Sequence, residues 1–321
     1  MRKSIRPVVR SVATTPTPLP RLGLCCQFVD APISFRRATH RYVSSLDAPA
    51  GRAYLTGILR DNAAALLAAI QHCSDIGIGA FRINSQILPL ATHPRSGYQL
   101  AELDVTGDIR STFKSAGSLA AKLDIRLSFH PDQFVVLNSE RADVVAASLD
   151  EMRLQVEVAE LVEADVLTLH AGSSAGGIPA ALERLERGIE ALTPAARVRL
   201  ALENDDRRFT PESLLPLCER LSVPLVYDVH HHRCNPDQLD IGEATKLAAA
   251  TWQGREPHFH ISSPRAGWGD GDARPHADYV IPDDFPEAWR GRRMTIDVEA
   301  KAKERAVLAL RDTLTGVVIR P

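Results

Sequence analysis

Short apolar runs alternate with segments of helical periodicity along most of the chain. Eight runs carry few charged residues, and most of them lead into a stretch whose apolar residues recur every three to four positions. Runs this short and apolar are typical of parallel strands that are covered on both faces. The predicted strands are Leu22–Cys26, Ile78–Ile83, Arg126–His130, Val166–His170, Val198–Glu203, Pro224–Asp228, His258–Ile261 and Met294–Glu299.

Predicted helices occupy the intervals between these strands. Asp61 is the predicted N-cap of the first helix, and Thr210 is the predicted N-cap of a helix that begins near Pro211. Residues 262–284, which are rich in Pro, Gly and Asp, are predicted to form a long loop between the last two strands. The first helix is predicted near Asp61–Ser74. The others are predicted near Ser111–Leu123, Ala142–Val162, Pro179–Leu192, Ile241–Trp252 and Lys301–Leu314.

The order of these elements predicts the fold. Eight strand-and-helix units in 321 residues indicate an α/β fold of the TIM (β/α)8 barrel type. A doubly wound sheet is the alternative, but the chain has no glycine fingerprint for dinucleotide binding. Residues 21–321 are therefore predicted to form a single barrel domain. Residues 1–20, with Pro16, Pro18 and Pro20 among threonines, are predicted to be a flexible tail, or alternatively a transit peptide.

Composition limits the classes of function. The formal net charge is −2, so any affinity for nucleic acid depends on local positive charge. The five cysteines lack C-x-x-C spacing, which argues against a disulfide framework or a zinc ribbon and favours a reducing compartment. No apolar run approaches the roughly 20 residues needed to span a bilayer. We therefore expect a cytoplasmic protein with no membrane and no protein partner.

Side chains that can bind metal ions stand at or near the ends of six predicted strands. In a TIM barrel these ends converge on one face, where active sites lie. Mixed imidazole and carboxylate ligands suit Mn²⁺, Zn²⁺ or Fe²⁺ better than Mg²⁺ or Ca²⁺. The pattern predicts a multi-metal site, whereas each residue alone is more typical of a hydrogen-bonded core group. The six residues are His130, His170, Glu203, Asp228, His260 and Glu299, to which the loops can add His93, His231 and His276.

The densest group of such residues is the segment Val226–Arg233, with the sequence VYDVHHHR. Asp228 and His231 are the predicted ligands in this segment. His230 is predicted to make supporting hydrogen bonds, and His232 is predicted to face solvent or DNA. The alternative is a histidine-rich loop that binds no ion.

Positive residues in the loops that follow the strands bear on the substrate. Two or more metal ions can catalyse an in-line phosphoryl displacement, while the competing use on this fold is sugar isomerisation. Arginines on the metal face would attract a phosphate backbone despite the net charge of −2. These arginines are Arg36, Arg37, Arg41, Arg207, Arg208, Arg233 and Arg265.

Eight stretches of the sequence match one family in the expected order. The chain resembles the UV damage endonucleases, which are metal-dependent TIM-barrel DNA repair enzymes similar to the endonuclease IV group. The combination of motifs is specific, although each one alone is weak. The stretches are Arg82–Pro94, Arg126–Ser139, Leu167–Gly172, Leu200–Asp206, Pro224–His232, His258–Arg265, His276–Val280 and Asp297–Glu304.

The resemblance implies an activity and a set of site residues. It implies hydrolysis of the phosphodiester 5′ to a UV photoproduct or another damaged base in double-stranded DNA, which leaves a 3′-hydroxyl. It implies two or three divalent ions, with Mn²⁺ preferred and Zn²⁺ or Mg²⁺ as alternatives. The implied metal ligands are His93, His130, His170, Glu203, Asp228, His231, His260, His276 and Glu299. Glu203, His130 and Lys301 are the catalytic candidates, and Gln133, Phe134, Arg207, Arg208 and Arg265 are the candidates for binding DNA or the lesion.

Two departures from the family pattern fall near the site. His258 stands where the family has a lysine that can carry a modification near the metals. Leu24 stands where a lesion-probing tyrosine is expected. The metal chemistry is thus better supported than UV-lesion specificity. Two alternatives stay open, namely a sugar-isomerase-like metalloenzyme that acts on a small molecule and a damaged-DNA-binding relative without nuclease activity.

Overall fold

The computed structural model of the chain describes residues 20–269 and 271–314, so nearly all of the predicted N-terminal tail lies outside the described residues. All eight predicted strands are present, although most are shorter than predicted. They are β1 (Arg21–Cys25), β2 (Ala80–Ile83), β3 (Arg126–Phe129), β4 (Val166–His170), β5 (Leu200–Glu203), β6 (Leu225–Val226), β7 (His258–Ile261) and β8 (Thr295–Val298).

The strands form one parallel sheet that closes on itself. Their order is β6-β5-β4-β3-β2-β1-β8-β7, and neighbouring strands pair in parallel. The outer strands β6 and β7 meet through one bridge between Asp228 and His260, and the His260 amide donates to the Tyr227 carbonyl at 3.1 Å. This closure confirms the predicted TIM barrel and excludes the doubly wound sheet.

Helices follow most of the strands and cover the outside of the barrel. Two 3-10 turns, Pro282–Asp284 and Glu287–Trp289, lie between β7 and β8. The helices are α1 (His40–Val43), α2 (Ala48–Asp75), α3 (Leu100–Leu103), α4 (Asp108–Lys122), α5 (Ala142–Val162), α6 (Ile178–Glu190), α7 (Pro194–Arg197), α8 (Pro211–Leu221), α9 (Val229–Cys234), α10 (Ile241–Ala250) and α11 (Glu304–Thr313).

Helix termini match the predictions in one case and differ in others. Thr210 caps α8 as predicted, because its hydroxyl accepts from the Ser213 amide. The predicted cap at Asp61 is wrong, since α2 begins at Ala48 and is capped by Asp47. Its buried stripe starts well upstream of Asp61. The final helix begins at Glu304 rather than at Lys301.

The predicted loop after the sixth strand is also wrong, because its histidines lie on a helix. Strand β6 contains only Leu225 and Val226, and α9 begins three residues later. Asp228 is the N-cap of α9, where its Oδ1 accepts from the His231 amide at 2.8 Å. The short helix therefore turns the histidine run back over the end of the barrel.

A small apolar layer lies inside the barrel below the strand ends. It contains Val166, Ala201 and Val226, with Trp252 packed against them, and it is separate from the main core between sheet and helices. Alternation along the strands places these three residues on the same face as His170, Glu203 and Asp228. The layer is therefore an apolar floor under the polar groups. None of the helices in the described ranges is both long enough and apolar enough to cross a membrane.

Candidate metal centre and nucleic-acid interface

The Glu203 carboxylate at the end of β5 is the centre of the polar cluster, and it is fully buried. Its Oε2 lies 2.8 Å from His130 Nε2, and its Oε1 lies 2.9 Å from His260 Nδ1. The Nδ1 atoms of His170 and His231 each lie 3.5 Å from the carboxylate. Parallel pairing in register places His170 beside Glu203, which is why residues distant in sequence meet here.

Asp228 and His231 form a second part of the cluster, as their spacing predicts. Asp228 Oδ2 lies 3.6 Å from His231 Nδ1 and 4.0 Å from His260 Nδ1. The capping bond to the His231 amide holds the Asp228 carboxylate, so Oδ2 is directed toward these imidazoles. Glu203, Asp228 and His231 thus present ligand atoms to one point.

Glu299, just beyond the end of β8, extends the cluster on the opposite side. Its Oε1 lies 3.4 Å from His260 Nδ1, and its Oε2 lies 3.6 Å from His276 Nδ1. Arg82 Nη2 donates to Glu299 Oε1 at 2.5 Å. His276 is delivered by the long loop before β8, whose Ala277 amide donates to the Ser263 carbonyl at 2.8 Å.

Two supporting residues, Arg82 and Asp297, are not among the predicted site residues. Arg82 Nε donates to Asp297 Oδ2 at 2.9 Å, so one guanidinium joins Asp297 to Glu299. A Cβ atom on Gly23, across the β1–β8 pairing, would lie 2.2 Å from Asp297 Oδ1. Glycine at position 23 therefore makes room for this carboxylate. A charged residue inside an apolar run was the available signal, because it must face the polar interior of the barrel.

His258, the departure from the family lysine, lies one step deeper in the barrel. It is buried, and its Nε2 lies 3.1 Å from Asp297 Oδ2. Burial lowers the pKa of His258 against the opposing effect of Asp297. For Asp297, burial opposes ionisation, but His258 and Arg82 outweigh it and the pKa falls well below its usual range. His258 therefore lies against Asp297 at the lower edge of the cluster.

The electrostatic field in the cluster favours ionised carboxylates. Burial opposes the ionisation of Glu203, but His170, His260 and His130 outweigh it, and its pKa is far below the usual value. The pKa of Glu299 is also lowered, since burial is outweighed by Arg82 and His260. Burial disfavours the charged form of His231, yet Asp228 and Glu203 raise its pKa to about 9. The carboxylates thus attract positive charge.

The chemistry of this donor set fits divalent metal ions. The buried atoms Asp228 Oδ2 and His170 Nδ1 have no hydrogen-bond partner within the described ranges, although such atoms are normally paired. Imidazole nitrogens and carboxylate oxygens within a few ångströms are ligands for Mn²⁺, Zn²⁺ and related ions. Three triads of the described residues converge closely enough to hold an ion, namely His130–Glu203–His260, Glu203–Asp228–His231 and, one step deeper, His258–His260–Asp297.

His93 is the predicted ligand that the structure does not bring to the cluster. Its ring stacks on His40 with centroids 4.4 Å apart, and its Nδ1 accepts from the amides of Arg95 and Ser96. It lines a separate cavity beside Tyr98 and Arg153. Glu203 and the other seven predicted ligands belong to one cluster.

Two adjoining cavities form an open groove across the cluster. They have volumes of about 740 and 610 Å³ and share Gln133, His170 and His276 in their walls. Arg207 and Arg208 line one end of the groove, where Asp205 Oδ1 accepts from both of their amides. The opposite end contains basic residues as well, namely Arg37, Lys301 and Lys303. Arg265 is exposed on the loop after β7.

Gln133 and Phe134, two of the candidates for binding DNA or the lesion, lie on the loop after β3. Gln133 lines both cavities, and the Phe134 side chain is 77% exposed. The Phe134 side chain therefore does not belong to the core. Asp132 Oδ1 accepts from the Phe134 amide at 3.3 Å, which turns the backbone of this loop outward.

Burial separates the other histidines of α9 and the first-strand leucine from the groove. His230 contacts the Arg274 carbonyl at 3.3 Å, in agreement with a supporting role. His232 is buried between the Tyr227 hydroxyl and Asp237 Oδ1, so the prediction that it faces solvent or DNA is wrong. Leu24 is fully buried in the main core.

Comparison with known proteins identifies relatives along the whole described chain. The family model described as UV-endonuclease UvdE matches residues 20–319. A UV DNA damage endonuclease of Deinococcus radiodurans is 34% identical over 313 residues, which cover 91% of this chain and 95% of the relative. A UV DNA damage endonuclease of Bacillus velezensis is 32% identical over 82% of this chain and 83% of its own length.

Solved structures share the architecture. The crystal structure of SacUVDE superposes with a TM-score of 0.79 at 25% identity and covers 92% of this chain and 98% of its own. Endonuclease IV from Thermus thermophilus superposes with a TM-score of 0.58 at 17% identity over 91% of this chain and 98% of its own. The endonuclease IV comparison shows a shared fold alone.

Proposed function

Because this chain belongs to the UV-endonuclease UvdE family, we propose a specific form of the DNA repair endonuclease activity that the family supports. The chain would use divalent metal ions to hydrolyse the phosphodiester on the 5′ side of a UV photoproduct or another damaged base. The substrate would be double-stranded DNA, and the product would carry a 3′-hydroxyl.

The observation that carries this proposal is the arrangement around Glu203. Four imidazoles lie within 3.5 Å of one buried carboxylate, and two further carboxylates stand beside them. An ion-pair network that served stability alone would satisfy its buried atoms, whereas Asp228 Oδ2 and His170 Nδ1 are left without hydrogen bonds. A set of donors open to a groove fits ions that meet a substrate there.

Eight residues would hold two or three ions. When bound, such ions lower the pKa of water and neutralise charge on the oxygens of the reacting phosphate. Glu203 is placed to bridge, because each of its oxygens faces a different imidazole. Mn²⁺ is the preferred ion, with Zn²⁺ and Mg²⁺ as alternatives. The eight are His130, His170, Glu203, Asp228, His231, His260, His276 and Glu299.

The remaining site residues would position the DNA. Arg207 and Arg208 at one end of the groove and Lys301 at the other can bind phosphates on both sides of the cluster, and Arg265 can add a contact from its loop. Phe134 exposes an aromatic face that can stack on a base at a distorted site, which is worth about 1–3 kcal/mol per base.

The shape and charge of the groove also bear on the two alternative functions. A small-molecule sugar isomerase calls for an enclosed pocket, whereas the groove here is open and has basic residues at both ends. A relative that binds damaged DNA without cutting it would share the groove. It is distinguished from the proposed enzyme by the fate of the bound DNA.

The test uses a duplex of defined sequence that contains one UV photoproduct. Protein freed of metal by a chelator and reloaded with Mn²⁺ should cut the damaged strand once, 5′ to the lesion, and a polymerase should extend the new 3′ end. Undamaged duplex should remain intact. Metal analysis of the loaded protein should give two or three ions per chain.

Glu203→Gln and Glu256→Gln form a matched pair of variants for this assay. Glu256 lies at the opposite end of the barrel, so its variant should cut, while Glu203→Gln should not. Binding without cutting by the loaded wild-type protein would favour the non-cleaving relative. Failure to bind damaged duplex at all would contradict the proposed function.

A further inference from the structure

Lys303 lies in the wall of the larger cavity beside the metal cluster, together with Glu299 and Lys301. It is half-buried, whereas Lys301 is exposed. Within residues 20–269 and 271–314, no carboxylate lies at ion-pair distance from its ammonium. The Cys26 thiol lines the same wall, where burial raises its pKa and the charges of Arg82 and Lys303 oppose that rise. A cation is thus held in the groove without a partner.

The backbone of Lys303 adopts an unfavourable conformation. Its φ is 54° and its ψ is −126°, a combination that glycine adopts readily and that a side chain with a Cβ atom disfavours. Strain of this kind persists only where the surrounding structure enforces it, and it is concentrated at functional sites.

Neighbouring segments enforce this conformation from both sides. The amides of Lys301 and Ala302 donate to the carbonyls of Ala277 and Asp278, on the loop that also carries His276. The buried Glu304 carboxylate accepts from the amides of Val29 and Asp30, at 2.6 to 2.9 Å, on the loop after β1. The turn therefore joins two loops of the groove and directs one lysine between them.

We propose that Lys303 is a phosphate-binding residue, whose ammonium binds a non-bridging oxygen of the DNA strand on the Glu299 side of the cluster. The inference rests on the proposed function and extends it, because it assigns one backbone phosphate to one residue. A glycine at position 303 would relieve the strain and abolish the contact.

Equilibrium binding to the photoproduct duplex, measured across salt concentrations, tests this proposal without the need for cleavage. Lys303→Gly should bind about tenfold more weakly and should lower the slope of log affinity against log salt by about one unit. It should nevertheless melt at the same or a higher temperature. Lys303→Gln, which keeps the strain and removes the charge, should show the same binding defect without any gain in melting temperature.

The control is Lys122→Gln, at an exposed position in the last turn of α4 away from the groove. It should keep wild-type affinity and salt slope. The proposal is overturned if Lys303→Gly or Lys303→Gln retains wild-type affinity and salt slope, or if Lys303→Gly melts at a lower temperature than the wild type. A wild-type protein that does not bind damaged duplex contradicts the proposed function itself, so the two failures are distinguishable.

Discussion

The two ends of the barrel both contain buried charge, but they balance it in different ways. At the amino ends of the strands, arginines are matched by carboxylates. Arg21 Nε donates to Glu256 Oε1 at 2.9 Å, and Arg126 forms two bonds to Asp165 at 2.8 and 3.0 Å. Other N–H groups of these arginines donate to backbone carbonyls. Arg21 Nη1, for example, donates to the Asp124 carbonyl at 2.6 Å. The buried arginines at this end are thus paired with acceptors from the protein itself.

The carboxyl end has the opposite character. It gathers four carboxylates, several imidazoles and one guanidinium, that of Arg82, which contacts Asp297 and Glu299. Four carboxylates face one guanidinium, and the raised pKa values of His231 and His260 offset only part of the remaining negative charge. A buried cluster in which carboxylates outnumber guanidinium groups and ligand atoms are left without hydrogen bonds is suited to bind cations from solution. The paired charge at the amino end is suited to stabilise the fold, whereas the unpaired charge at the carboxyl end is suited to a binding site. The four carboxylates are Glu203, Asp228, Asp297 and Glu299.

Metal loading should produce the largest difference between the two ends. Each ion at a hundredfold excess over its Kd stabilises the fold by about 2.7 kcal/mol, so two ions give about 5 kcal/mol. Thermal denaturation with Mn²⁺ and with chelator measures the effect. Glu203→Gln should lose most of the Mn²⁺-dependent shift, and Glu256→Gln should keep it. Equal shifts in the two variants would mean that the ions bind elsewhere.

In the metal-free protein, Glu256→Gln should lower the free energy of unfolding more than Glu203→Gln does. Glu256→Gln leaves the buried Arg21 guanidinium with the exposed carboxylate of Asp124 in place of a buried one, which should cost about 3 kcal/mol in urea denaturation. Glu203→Gln should cost less, because the imidazoles that face Glu203 can lose their protons, whereas the Arg21 guanidinium cannot. If the metal-free protein is destabilised more by Glu203→Gln, the carboxyl end is a stabilising network and the contrast between the ends does not hold.

Gly23→Ala should damage the support of the site. The new methyl group would displace the Asp297 carboxylate and with it Arg82, so we expect a loss of about 1–3 kcal/mol and weaker Mn²⁺ binding. Gly57→Ala is the matched control, because Gly57 lies in α2 and a Cβ atom there meets nothing within 4 Å. It should stabilise the helix by up to about 1 kcal/mol. An unchanged Mn²⁺ affinity in Gly23→Ala would refute the supporting role.

Asp165→Asn should have the smallest effect, which depends on pH. Burial raises the pKa of Asp165, but Arg126 and Arg255 outweigh it and the pKa is lowered. A carboxyl group with a lowered pKa stabilises the fold above its ordinary pKa of about 4, and this contribution is lost as the pH falls through the folded-state value. Partial exposure limits the cost at pH 7 to about 1 kcal/mol. The difference from wild type should vanish in acid, and a difference that persists there would argue against the ion pair.

The fold and the centre of the site follow from the sequence for a physical reason. Parallel strands buried on both faces must be apolar throughout, so each polar residue that ends such a run marks the carboxyl edge of the barrel. His170, Glu203 and His260 were predicted on that basis. Asp228 and His231 were predicted from their spacing, and the capping bond explains why that spacing works.

Other features depend on contacts that no local pattern reveals. Arg82 and Asp297 form a pair across the barrel interior, and neither residue alone predicts the other. His232 is buried because Tyr227 and Asp237 satisfy both of its ring nitrogens. His93 was included through the family resemblance, but the loop after β2 carries it to the stack with His40.

The closure between β6 and β7 has a further consequence. Every other neighbouring pair of strands is joined by a ladder of at least two paired positions, whereas this pair meets at the single bridge between Asp228 and His260. The seam of the barrel therefore runs through two of the proposed ligands. An ion held between them would act as a crosslink across the weakest line of the sheet, so metal content and local opening of the barrel wall should be thermodynamically coupled.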